Sequence, residues 1–168
     1  MIVWAVDPGL KGAFARLDMY VGSLQIHDMP IISTTFLKAG KKKKRNVVDA
    51  KGVFEILKNE KYRPIFIEQV SARPNQGVTS MFGFGRSLGV VVGVAAALDM
   101  PTTLVRPQQW QKTVGAKGKD GSRQRAQEVF PAFADLFKRK KDDGRSDAAL
   151  LAYYSTFCGL SVDNYDRH

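Results

Sequence analysis

The chain opens on an unbroken apolar run, Ile2-Val3-Trp4-Ala5-Val6, closed by Asp7 and the turn pair Pro8-Gly9. A run this short, rich in β-branched and aromatic residues, predicts a strand buried on both faces. Partial alternation over residues 12–19 and 21–29 predicts two more strands in an antiparallel meander, with a hairpin turn around Gly22. The run over residues 38–45, Lys-Ala-Gly-Lys-Lys-Lys-Lys-Arg, repels itself and is expected as a loop or mobile arm. Asn46 then suits a helix N-cap, and Val47, Val48, Val53, Phe54, Ile56 and Leu57 follow at helical spacing, with the end near Asn59.

A second buried-strand pattern, Pro64-Ile65-Phe66-Ile67-Glu68-Gln69-Val70, again carries an acid near its end. Residues 71–77 read as a loop, and residues 79–99 as a long apolar helix in which Gly85, Gly89 and Gly93 lie near one face. Each such glycine weakens an isolated helix by up to about 1 kcal/mol. Another backbone is therefore expected to approach there, either the sheet or the same helix of a second subunit. The most apolar part, residues 88–98, is too short to be expected to cross a bilayer. Residues 102–106 predict a fifth strand, Pro107 the first turn of a helix through Val114, and residues 115–121 a flexible basic loop. Ser122 is expected to cap a helix ending before Pro131, Phe133 and Phe137 bound an apolar patch, and a last helix runs through Ala148, Leu150, Leu151, Tyr153 and Tyr154.

Three strands in a meander, followed by strands alternating with helices, imply an α/β fold. The expected sheet is mixed and five-stranded, with three antiparallel strands, then parallel ones, and helices on both faces. Neither an internal repeat nor a domain boundary is visible, so residues 1–168 are expected as a single domain.

Composition changes this picture in one respect. The 44% hydrophobic and 25% charged fractions are ordinary, but 26 Lys plus Arg against 16 Asp plus Glu leave a formal net charge of +10. That excess points to a polyanionic partner, usually nucleic acid or an anionic membrane surface, and favours phosphate contact for the 38–45 run. A single cysteine, Cys158, excludes an internal disulfide and a cysteine-based zinc site. With no secretory signal pattern at the start, a reducing, cytoplasmic location and no membrane are expected.

The candidate chemistry lies in the acids. If the strands bearing Asp7 and Glu68 are parallel neighbours, both carboxylates stand at one sheet edge, where open α/β sheets place their ligand sites. Asp143 and Asp147 are four apart and share a helix face if the last helix starts early enough. Asp142 is a further candidate that would point elsewhere. Several carboxylates in one place need a counter-charge. Hard oxygen ligands without His or Cys select Mg²⁺, with Mn²⁺ able to substitute. Two such ions about 4 Å apart can activate water and stabilise the leaving oxygen of a phosphodiester.

Five segments carry a family resemblance: Ala5-Val6-Asp7-Pro8-Gly9, Ile67-Glu68-Gln69-Val70, Phe84-Gly85-Arg86-Ser87-Leu88-Gly89, Val105-Arg106-Pro107-Gln108-Gln109-Trp110-Gln111-Lys112-Thr113-Val114-Gly115, and Ser146-Asp147-Ala148-Ala149-Leu150-Leu151-Ala152. In this order they resemble the RuvC-type Holliday junction resolvases of the ribonuclease H-like superfamily. The resemblance implies a homodimer that binds four-way DNA junctions and nicks two opposed strands with Mg²⁺. It implies metal-ligand roles for Asp7, Glu68 and Asp147. The fourth acid of bacterial members would fall on Gly144, and Asp143, one residue earlier, is the substitute, a spacing closer to phage or fungal mitochondrial members. The aromatic residue that bacterial members carry after the glutamate is replaced by Ser71-Ala72-Arg73. Lys112, Lys117 and Lys119 are expected to contact phosphates by resemblance and by charge, with Arg73 and Arg86 as further candidates. The size and basic arm would suit a bacteriophage member. Other readings of the same residues are a nuclease for other branched DNA or RNA–DNA hybrids, a junction-binding module that cuts little, and a phosphotransferase of a related fold.

Overall fold

The computed structural model describes residues 1–69, 77–116 and 120–159. Its five-stranded sheet runs, edge to edge, β3 (Ser23–Asp28), β2 (Ala13–Asp18), β1 (Ile2–Asp7), β6 (Ile65–Glu68) and β7 (Thr102–Val105). Strands β1, β2 and β3 form the antiparallel meander. Strand β6 lies parallel to β1, and β7 parallel to β6.

The opening strand is buried on both faces, as its apolar run requires. Val3 and Ala5 face a core completed by Phe66, Trp110 and the last helix, α5 (Asp143–Tyr154). Trp4 and Val6 face a second core with Ile65, Ile67 and two helices, α1 (Ala50–Leu57) and α2 (Val78–Ala97). Side chains alternate across a strand, so a continuous apolar strand can satisfy both layers at once. Helix α3 (Pro107–Val114) starts with Pro107 in its first turn, where a missing N–H costs nothing. Helix α4 (Gly121–Val129) starts one residue before the expected cap, Ser122.

Three expectations need correction. The basic run is not a loop. Strands β4 (Ile31–Lys38) and β5 (Lys41–Val48) pair with each other in a separate antiparallel hairpin. Its two-residue turn, Ala39-Gly40, has φ of 48° and 72°, the positive values that match the twist of a tight hairpin. The Ile-Ile-Ser-Thr-Thr-Phe segment supplies β-formers on the facing strand, and the Arg45 guanidinium sits 5.7 Å from the Phe36 ring centre. Second, Val47 and Val48 close β5 rather than open a helix. Asp49 is the cap of α1, its Oδ1 accepting the Lys51 N–H at 3.1 Å. Third, the apolar helix α2 extends back to Val78, and its 20 residues are long and apolar enough to cross a membrane by length and composition. Most of α2 is not buried within this chain, and a Cβ built on Gly85, Gly89 or Gly93 meets nothing within 4 Å among the described residues. The sheet is therefore not the neighbour that these glycines admit.

Candidate active site

Strands β1 and β6 are in parallel register with Val6 opposite Ile67, so the next residues, Asp7 and Glu68, end at the same sheet edge. Asp7 Oδ1 accepts the Gly9 N–H at 3.1 Å, which tightens the Asp-Pro-Gly turn. Burial pushes the Asp7 carboxyl above its ordinary range, and the Gly9 bond opposes that in part. Two glycines make the close packing at this edge possible, Gly12 within the turn after β1 and Gly144 where the last helix meets it. A Cβ on Gly12 would lie 2.0 Å from the Asp7 carbonyl oxygen. A Cβ on Gly144 would lie 2.3 Å from the Lys11 carbonyl oxygen and 2.6 Å from Gly12 Cα. Gly12 and Gly144 form an isolated parallel bridge, so the start of α5 lies directly on the turn after β1.

That docking aims Asp147, one turn into α5, at the strand ends. Its carboxyl is pushed up to about 7, chiefly by burial and further by the charges of Asp7, Glu68 and Asp143, while the Ser122 hydroxyl bond opposes the rise. Its Oδ1 is buried with no hydrogen-bond partner among the described residues. Glu68 is oriented from below: the indole N–H of fully buried Trp110 donates to Glu68 Oε1 at 3.1 Å.

The last two candidate acids separate cleanly. Asp142 is buried, accepts the Arg139 backbone N–H at 2.9 Å and Arg139 Nη2 at 2.9 Å, and has Arg145 Nη1 at 3.6 Å. These bonds to Arg139 hold its carboxyl below the usual carboxylate range. Arg145 also pairs with Asp28 through two bonds of 2.5 Å. Asp142 is thus a structural anchor. Asp143 is more than half exposed, and its Oδ1 lies 2.8 Å from Arg123 Nε. The acids share a neighbourhood, but among the described residues no three Asp, Glu, His or Cys side chains are grouped tightly enough to hold one ion as placed.

Asp7 lines two clefts. One, of about 430 Å³, is bordered by Lys11, Arg45 and Arg86. The other, of about 760 Å³, holds Asp143 and Asp147 with Lys140 and Lys141 on its border. Of the expected phosphate contacts, Arg86 stands in the first cleft, and Lys112 is exposed in the last turn of α3, lining neither. Arg73, Lys117 and Lys119 lie outside the described residues. Sequence reasoning missed Lys11, Trp110 and Arg123 near these acids, whereas Arg45 closes the basic run for which phosphate contact was expected. Trp110 carried a faint signal as an aromatic amid glutamines, and Lys11 and Arg123 carried none beyond charge.

No family model matches the chain. It is 25% identical over 170 residues to the crossover junction endodeoxyribonuclease RuvC of Pseudothermotoga lettingae, covering 99% of this chain and 98% of that protein. It is 35% identical over 80 residues to the chloroplastic Holliday junction resolvase MOC1 of Chlamydomonas reinhardtii, covering 46% of this chain. The matched region spans only 9% of that algal protein's length. Among solved structures, Thermus thermophilus RuvC in complex with a Holliday junction substrate superposes with a TM-score of 0.60 at 13% identity, covering 95% of this chain and 96% of that one. A second structure of Thermus thermophilus RuvC gives 0.55 at 16% identity, covering 95% and 97%. The fold is thus the ribonuclease H-like fold of these proteins.

Proposed function

We propose that this chain, which is of the RuvC type, is a metal-dependent endodeoxyribonuclease that resolves four-way DNA junctions by paired nicks. The observation that carries the reading is the state of Asp147, a buried carboxyl with an unpartnered oxygen, raised to about 7 and sensing Asp7, Glu68 and Asp143 together. A buried carboxylate oxygen without a partner, beside other carboxylates, fits a hard divalent cation. Asp7, Glu68 and Asp147 would hold Mg²⁺, with Asp143 at the rim, after side-chain rotations that bring their oxygens together. When bound, Mg²⁺ would lower the pKa of water and stabilise the departing oxygen. The protein's own contribution is orientation and capture. Trp110 fixes Glu68, Gly144 lets α5 reach the strand ends, and Lys11, Arg45 and Arg86 offer cations to the DNA backbone beside Asp7.

Two symmetric nicks call for two sites, and α2 supports a homodimer. Its exposed positions Phe82, Gly85, Gly89, Gly93 and Ala96 recur at helical spacing along one side. Small residues there would admit a second backbone closely, and Phe82, at 69% exposure, would be covered. The test is cleavage of a synthetic four-way junction, compared with flap, RNA–DNA hybrid and linear duplex. Asp7→Asn is expected to abolish cutting while binding survives. Undiminished cutting would remove Asp7 from the site, and preference for another substrate would replace the junction reading.

A further inference from the structure

We infer that the β4–β5 hairpin is a second DNA-binding element, a basic ribbon that grips the phosphate backbone of a duplex arm leaving the active-site cleft. This inference rests on the proposed action on branched DNA and names where a further part of the substrate is held.

The hairpin carries six cations, Lys38, Lys41, Lys42, Lys43, Lys44 and Arg45, and no acid between Ile31 and Val48. None of them takes part in an ion pair among the described residues. Lys38 stands directly opposite Lys41 in the register, an arrangement of like charges that destabilises a ladder. A two-stranded hairpin outside any larger sheet is marginal by itself. Here it is nearly all exposed until Val47 and Val48 enter the core. Such a ribbon holds its charge at a cost that a polyanion would remove.

Its geometry states which face does so. Directly opposed residues share a face, so Thr34, Phe36 and Lys38 lie with Arg45, Lys43 and Lys41. Arg45 is the root of that face, and it lines the cleft that contains Asp7. Lys43 and Lys41 continue outward from it at about 7 Å intervals, reaching about 14 Å beyond Arg45. The row therefore begins beside the phosphodiester to be cut and runs away from it. A two-stranded ribbon also has the width to enter the major groove. The opposite face carries Lys42 and Lys44 beside Leu37, and the matched charge there provides a control.

The experiment measures binding of the full-length protein to a four-way junction without divalent metal, over a range of salt. Lys41→Ser with Lys43→Ser is expected to weaken binding about tenfold and to make the salt slope shallower by about two. Lys42→Ser with Lys44→Ser should cost less than about threefold. Shortening the junction arms until the hairpin has no DNA to reach should erase the difference between wild type and the first variant. Lysine acetylation footprinting of the wild type, which needs no variant to fold, should find Lys41 and Lys43 protected by the junction. Unchanged affinity and slope in the first variant, equal losses in both variants, or absent protection would each overturn the inference while leaving the nuclease reading intact. A wild type that binds no branched DNA would remove both.

Discussion

The indole N–H of Trp110 donates to Glu68 Oε1 at 3.1 Å across 42 positions of sequence, so a side chain of α3 sets the direction of a carboxylate on β6. Trp110 is wholly buried. Its bond to a carboxylate is the kind that contributes about 1.5–3 kcal/mol.

Trp110→Phe keeps most of the packing and deletes the donor. Stability should fall by about 2 kcal/mol, read from thermal or denaturant unfolding. Junction cleavage should fall about tenfold or more, because Glu68 loses its fixed direction. Binding in the same assay should change little. A variant that cuts at the wild-type rate would show that the bond only packs the core.

Asp147 sets a pH dependence for the metal-free protein. Its folded carboxyl is raised to about 7 from its ordinary value of 3.8, so the folded state binds the proton more tightly than the unfolded one. Below pH 4 both states hold the proton and no difference arises. Stability should then decline as pH rises from about 4 through about 7, by up to about 4 kcal/mol in total. Asp147→Asn removes the titrating charge. It should melt at a higher temperature than wild type at pH 8 without metal, and should cut no junction. A melting temperature of wild type that rises between pH 5 and 8 would contradict the sign.

Gly144 has no room for a side chain against Lys11 and Gly12. Gly144→Ala should cost about 3 kcal/mol, or move α5 off the turn and lose cleavage. Gly144→Asp should be worse on both counts, since the carboxylate would be driven into backbone. Unfolding curves of the two variants within experimental scatter of wild type would refute the close packing.

Gly89 offers the opposite case: among the described residues nothing lies within 4 Å of its missing Cβ. Gly89→Leu should stabilise the isolated fold by about 0.5–1 kcal/mol through helix propensity. The same change should block approach of a second α2. If α2 forms the proposed subunit contact, wild type is expected as a dimer and the leucine variant as a well-folded monomer by light scattering. A dimer that survives the leucine would place the subunit contact elsewhere.

The sequence by itself determined β1 and β6. A short apolar run closed by an acid has few ways to fold, because both its faces need burial and its end needs polar company. That is why Asp7 and Glu68 were legible as site candidates, and why Asp147 could be placed by resemblance. The basic hairpin was not legible. Local charge repulsion argued for a loop, whereas its fate depended on pairing with β4 and on where its root entered the core. Only the tertiary structure shows how Asp142 and Asp143 differ: Asp142 is buried against Arg139 and Arg145, whereas Asp143 is exposed beside Arg123. It also decided why position 144 is glycine and what Trp110 is for. These are contacts between segments distant in the chain, and no periodicity within a segment encodes its partner. Spacing fixes which side of an element a residue occupies, and packing fixes what that side meets.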